Sequence, residues 1–285
     1  MTLSERSLAE LKELALEIRI NTLETLNNLG FGHYGGSLSI VEVLAVLYGK
    51  VMPMTPELFA EKDRDYFVLS KGHAGPALYS TLYLKGFFDE EFLHSLNTNG
   101  TRLPSHPDRN LTPGIDMTTG SLGQGVSVAT GIAYAQKIED SSHYTYAIVG
   151  DGELNEGQCW EAFQFAAHQD LANLFVFVDN NKKQLDGLTA EICQTGDLEA
   201  KFEAFGFEAV TVDGGDIAAI YDVIVSLKAS DSKRPKCILL DTIKGQGVEA
   251  IEKMDSNHHL RPDQAQLEVL ENAAKVLKEE MEVSR

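Results

Sequence analysis

Cysteine is scarce in this sequence. Its 285 residues include three, Cys159, Cys193 and Cys237, an odd number with no Cys-x-x-Cys spacing. Neither a disulfide framework nor a zinc site is suggested, and a reducing cytoplasm is the expected setting. Positive charge is also short: 24 Lys and Arg against 43 Asp and Glu leave a formal net charge of −19. That balance argues against nucleic acid as a partner. It does not forbid an anionic cofactor, because a metal ion and a few local lysines can override the global field. The longest apolar runs are strand-sized, well under the roughly eighteen residues of a membrane span, so no membrane partner is expected. The N-terminus, MTLSERSLAELKELALEIR, is charged and amphipathic, without the apolar core or small-residue cleavage site of a signal peptide. Internal repeats, low-complexity tracts and Pro- or Ser-rich linkers are missing too.

What is present is a regular alternation. Hydrophobic content is 43%, enough for a sizeable core. Residues 4–29 carry apolar positions at helical spacing and stop at Gly30. A Gly-rich turn, FGHYGGS, precedes a second apolar helix from about Ser39 to Tyr48. DYFVLS (65–70) reads as a short buried strand that turns into a helix through KGHAGPALYSTLYLKG. Residues 97–114 read as a long loop, and TTGSLGQGVSVATGIAYAQK as a loop entering a small-residue helix. Gln184 to Gly206 reads as a polar segment with a short helix. EAVTV (208–212) and CILLDTI (237–243) are two more strands, separated by an amphipathic helix at Ile217–Lys228. A charged helix, Pro262 to Val283, closes the chain. Such alternation predicts an α/β fold: a parallel sheet flanked by helices on both faces.

The segment most rich in chemistry is YAIVGDGELNEGQCWEAFQFAAHQDLANLFVFVDNN. Apolar runs Tyr146–Val149 and Leu174–Val178 end at Gly150-Asp151-Gly152 and Asp179-Asn180-Asn181, with an amphipathic stretch between them. This is one strand–helix–strand unit. Its parallel strands bring Asp151 and Asn181 out at the same carboxyl edge, where open α/β sheets bind ligands. A carboxylate and an amide oxygen are hard ligands suited to Mg²⁺ that keeps positions for phosphate oxygens. Gly152, lacking Cβ, lets backbone approach a phosphate at a helix start. Gly-Asp-Gly alone is a common turn; the pair of motifs at this spacing is far more specific.

The pattern resembles the thiamine diphosphate fingerprint, and further segments resemble transketolase, specifically its N-terminal, diphosphate-binding domain. GHYGGSLS is similar to that family's GHPGxxLS-type loop, and LSKGHAGPALY to its LSxGHAxxxLY segment. TRLPSHPDRNLTPGIDMTTGSLGQGVSVATGIA resembles its histidine loop and TTGxLGQG turn. GDGELNEGQCWEA, DNNKKQLDG and DTIKGQG resemble its GDGxxxEGxxxEA, DxNxxxxDG and TxKGxG segments. These matches run in order from about residue 17 to 262. The resemblance implies that Asp151, Asn181 and the Lys183 carbonyl hold Mg²⁺ with the cofactor diphosphate. It implies that Gly152, His73 and Lys244 contact the diphosphate, and that Gly120 and Leu122 lie beside the cofactor rings. His33, His106 and His258 would surround the reacting carbons of a ketose, as neutral imidazoles able to donate to an oxyanion or move hydroxyl protons. Glu156 would lie on the crossover helix, facing a partner's carboxylate at the cofactor; a helix-start glutamate favoured by the dipole would look the same.

The sequence departs from the family in two places. Tyr34 and Gly35-Gly36 replace the usual Pro and small residues, and His259 stands where Gly is common. The second departure leaves His258 or His259 as the site histidine, with His258 preferred. The resemblance implies a single thiamine diphosphate-binding domain over residues 1–285, with the pyrimidine and C-terminal domains on a partner chain of roughly 300 residues, assembled as an α₂β₂ heterotetramer. An apolar face near Glu156 and Trp160 is a candidate contact, and Trp160 reads equally well as ordinary core. The implied activity is transfer of a two-carbon ketol unit between sugars or sugar phosphates. The α subunit of a 2-oxo acid dehydrogenase and a non-catalytic cofactor-binding module stand as alternatives.

Overall fold

Five strands carry the architecture: β1 (Tyr66–Leu69), β2 (Thr145–Gly150), β3 (Leu174–Asn180), β4 (Glu208–Asp213) and β5 (Lys236–Asp241). The computed structural model describes residues 3–284; Met1 and Thr2 of the charged N-terminal stretch and the terminal Arg285 lie outside the described residues. The strands form one sheet in the order β1-β2-β3-β5-β4, and every pairing is parallel. Parallel sheets are covered on both faces, which is why β2 and most of β3 are apolar and buried without alternation. Successive side chains nevertheless go to opposite sides. Tyr146, Ile148, Phe175 and Phe177 enter one core cluster with Ile18 and Leu23 of the Glu5–Leu29 helix and Ala77 of the Gly75–Leu84 helix. Ala147, Val149, Val176 and Val178 enter the other, with Val126 and Ala133 of the Gln124–Ile138 helix and Phe163 of the Gly157–His168 helix.

Helix ends follow the sequence signals. Ser4 accepts from the Ser7 amide at the start of the first helix, and Gly30 ends it in the left-handed region at φ +77°. The strands expected at 65–70, 208–212 and 237–243 fall at β1, β4 and β5, and the charged tail helix spans Gln264–Ser284.

Three expectations need correction. FGHYGGS is not simply a turn: Tyr34–Leu38 is a short buried α-helix. Its glycines serve close packing, since a Cβ on Gly35 would lie 2.3 Å from the Asn257 carbonyl oxygen. The helix expected from Ser39 to Tyr48 is Val41–Val46 followed by a π-helical turn, Leu47–Val51. Finally, one stretch, Tyr34–Val51, is long and apolar enough by composition to cross a membrane, contrary to the expectation from run length. It is 83% buried within the fold, as a core helix would be.

Candidate active site

Four adjacent strand ends build one edge. β1 leads into Ser70-Lys71, β2 into Asp151, β3 into Asn181, and β5 runs on to Thr242 and Lys244. A cavity of about 380 Å³ opens there, lined among others by Lys71, His73, Leu122, Asp151, Gly152, Glu156, Asn181, Lys183, Lys244 and His258. Parallel pairing of Gly150 with Asp179 puts the two halves of the Gly-Asp-Gly and Asn-Asn motif side by side.

Asp151 is 2% exposed. Its carboxylate accepts the Gly152 amide at 2.8 Å and the Lys182 amide at 2.7 Å. Burial, and then the nearby Asp179 charge, push its carboxyl up to about 6. Asn181 donates its side-chain amide to Asp179 at 2.7 Å, and its Oδ1 accepts from the Lys183 amide at 3.2 Å. Lys244 Nζ donates to the Lys183 carbonyl at 2.8 Å and lies 2.9 Å from His258 Nδ1. Burial, then Lys71, lowers the Lys244 ammonium to about 8.

The loop histidines converge. His33 lies 5.4 Å from His73, 5.7 Å from His106, 5.4 Å from His258 and 4.7 Å from His259, between ring centroids. His106 packs on Gly120, where a Cβ would meet its ring at 3.1 Å and where φ is +141°. Burial, then His259, His106 and Lys244, holds His33 down at about 4. Burial, then Lys244, holds His258 at about 3. His73 and His106 are lowered as well, by burial foremost. Burial thus favours the neutral form of His33, His73, His106 and His258, each able to donate through one nitrogen and accept through the other. Of the two adjacent histidines, His258 lines the cavity and meets Lys244, while His259 packs edge-on against His33.

Two placements differ in detail from the expectation. A 3₁₀ turn, Gly152–Asn155, intervenes before the crossover helix, so Gly152 is not at that helix's start. Glu156 is the residue before the helix, exposed and making no side-chain capping bond. Trp160 packs on Phe163, Phe202 and Phe205 and donates to the Leu154 carbonyl at 2.7 Å, a core role for its ring.

Residues 11–272 match the family model described as transketolase, thiamine diphosphate binding domain. The chain belongs to the transketolase family. It is 48% identical over 252 residues to the 6-deoxy-6-sulfo-D-fructose transketolase subunit SqwG of Clostridium sp. (strain MSTE9), covering 88% of this chain and 91% of that protein. It is 37% identical over 260 residues to an apulose-4-phosphate transketolase subunit of Actinobacillus succinogenes, covering 91% and 93%. A crystal structure of a transketolase variant from Pichia stipitis superposes with a TM-score of 0.83 at 30% identity, over 97% of this chain but only 44% of that one. The chain thus spans nearly the whole of its subunit-type relatives and less than half of the single-chain transketolase. Membership makes it a transketolase subunit of the N-terminal type: the transferase component that binds thiamine diphosphate.

The transketolase edge also uses residues that motif reading passed over. Asp179 is fully buried and accepts from Ser39 at 2.6 Å, Thr242 at 2.5 Å and the Lys71 ammonium. Burial opposes its charge, but Lys71 and the hydroxyls outweigh burial and hold the carboxyl below its usual range. Glu153 accepts from Ser70 Oγ at 2.5 Å and from the Gly123 and Gly150 amides at 2.8 and 3.1 Å, tying the TTGSLGQG turn to the end of β2. The available signal was charge inside apolar context: a lysine two residues past β1 and an aspartate next to the last residue of β3.

The donor set would suit a hard cation such as Mg²⁺. Among the described residues no three His, Cys, Asp or Glu side chains cluster to hold a metal, and the expected set is of another kind: one carboxylate, one amide oxygen, one backbone carbonyl. Asp151 is a buried carboxylate short of compensating charge, and the Lys183 carbonyl already takes an ammonium. Both suit a hard cation.

Proposed function

We propose that this chain is the diphosphate-binding subunit of a two-chain, Mg²⁺-dependent transketolase, moving a two-carbon ketol unit from a ketose or ketose phosphate to an aldose acceptor. The observation that carries this reading is the convergence of His33, His73, His106 and His258 beside the cavity lined by Asp151, Asn181 and Lys183. Asp151, the Asn181 side chain and the Lys183 carbonyl would hold Mg²⁺. Lys244, His73 and the Gly152 backbone would hold the diphosphate, Gly120 and Leu122 would flank the rings, and Glu156 would face the partner. Thiamine diphosphate, when bound, supplies the nucleophilic carbon and the electron sink.

The chain's own part is orientation and proton handling. Neutral His33, His106 and His258 can each donate an N–H to a donor hydroxyl or to the carbonyl oxygen where charge develops. Lys244 beside His258 supplies a positive charge at the same place. The relatives named as subunits, and the coverage of under half of a single-chain transketolase, support a partner carrying the pyrimidine-binding and C-terminal domains. We place the pair in the cytoplasm as an α₂β₂ assembly.

The test is reconstitution with a chain that carries the pyrimidine-binding and C-terminal domains. The chain alone should show no ketol transfer, and mixing should restore it with Mg²⁺ and thiamine diphosphate. The size-exclusion mass should rise to about twice the summed chains. Full activity of the isolated chain would reject the two-chain reading.

A further inference from the structure

His33, Lys244 and His258 come from three segments: the one leading into the Tyr34–Leu38 helix, the loop after β5, and the chain beyond the Glu249–Glu252 helix. One closed circuit of hydrogen bonds joins the three. The Gly245 amide donates to the Gly35 carbonyl at 3.0 Å, and the Gly35 amide donates to the Asn257 carbonyl at 3.1 Å. The Asn257 side-chain amide then donates to the Lys244 carbonyl at 2.9 Å. The same nitrogen also donates to the Ile251 carbonyl, at 3.0 Å. Both of its neighbours are acceptors, so only the NH₂ end of the amide can face them.

The circuit has no slack. Asn257 is 2% exposed. A Cβ on Gly35 would meet the Asn257 carbonyl oxygen and would lie 2.9 Å from Lys244 Cγ. One on Gly245, whose φ is +91°, would lie 2.6 Å from Ile251. The Lys244 stem therefore packs directly on Gly35, and its Nζ arrives 2.8 Å from the Lys183 carbonyl and 2.9 Å from His258 Nδ1. Lys244 is itself 2% exposed. A lysine without restraint would not stay there. Its four-carbon stem has rotamer freedom to lose. Burial penalises its charge, so an unrestrained stem extends toward water.

We infer that Asn257 is a positioning residue for the diphosphate site: its side chain fixes the Lys244 backbone and, through Gly35, ties it to the His33 segment, so that the ammonium is presented between Lys183 and His258. This rests on the reading that Lys244 contacts the diphosphate. Asn257 acts through Lys244, and its own side chain touches the backbone only.

The experiment is a double-mutant cycle on the assembled enzyme, read by calorimetry with thiamine diphosphate at saturating Mg²⁺, with urea unfolding of each variant chain beside it. Asn257→Ala should weaken thiamine diphosphate binding by about 10-fold, the scale of a buried hydrogen bond broken from one side. Lys244→Ala should weaken it as well. In that background Asn257→Ala should cost less than about threefold more, because the group it positions is gone. If Asn257→Ala does not fold, Asn257→Ser, with one donor on a shorter stem, carries the same cycle. Losses that multiply in the double variant, or lower stability in urea with unchanged affinity, would overturn the inference while leaving Lys244 at the diphosphate. Wild-type affinity in Lys244→Ala would remove both.

Discussion

The Asn181 side-chain amide donates to the Asp179 carboxylate at 2.7 Å, across two residues at the end of β3. This bond fixes the nitrogen on Asp179, so that the oxygen, which also accepts the Lys183 amide at 3.2 Å, is the end of the amide on offer to a cation. Asp179 is itself fixed by Ser39, Thr242 and Lys71. It acts on the candidate metal site through Asn181, as a positioning residue. Asp179→Asn should weaken Mg²⁺-dependent thiamine diphosphate binding by more than tenfold in calorimetry. Leaving Lys71 buried without its counter-ion should also cost on the order of 3 kcal/mol in urea unfolding. Loss of stability with unchanged cofactor affinity would confine Asp179 to a structural role.

Asp151 is the one carboxylate in the proposed metal set. Asp151→Ala should abolish Mg²⁺-dependent cofactor binding while the fold persists, because a hard cation loses its only anionic ligand. Circular dichroism checks the fold and calorimetry the binding. Unchanged affinity would take Asp151 out of the metal site.

Much of this was legible in the sequence because it depends on strand ends. Gly150-Asp151 and Asn180-Asn181 follow apolar runs, and parallel pairing alone brings them to one edge. The roles of Lys71, Asp179 and Glu153 were not legible. Their partners lie between 2 and 140 positions away in sequence, and a charged residue at a strand end gives no sign of whether it faces solvent or a buried counter-charge. The short Tyr34–Leu38 helix was hidden by Gly35 and Gly36, which suggest a turn. Only the packed structure shows that Asn257 and His73 leave no space for side chains there.

His106 sits against Gly120 and beside His33, away from the Lys183–Lys244 pair. His106→Ala should therefore lower kcat of the assembled enzyme by roughly 100-fold, the scale of a positioned acid–base group. The thiamine diphosphate dissociation constant should change by less than about threefold. Steady-state kinetics and calorimetry on the same preparation separate the two. A wild-type rate would reduce His106 to a packing residue.

His33 gives the pH prediction. Its imidazole is held near 4, against an ordinary value of 6.5, by burial and by His259, His106 and the lysines. The unfolded chain therefore binds this proton at a higher pH than the folded chain does. Above about 6.5 both states are neutral and His33 adds no pH dependence. Between 6.5 and 4 the unfolded state takes up more protons, so stability falls as pH falls. Below 4 both are protonated and the slope ends. The accumulated loss is on the order of 2 kcal/mol, after allowing for partial exposure. His33→Gln removes the titrating group, so it should show a shallower decline across that window than the wild type. Urea unfolding of the two proteins at pH 7, 6, 5 and 4 measures the difference. Parallel curves would mean that His33 titrates alike in both states, and that the crowding of histidines around it does not hold it neutral.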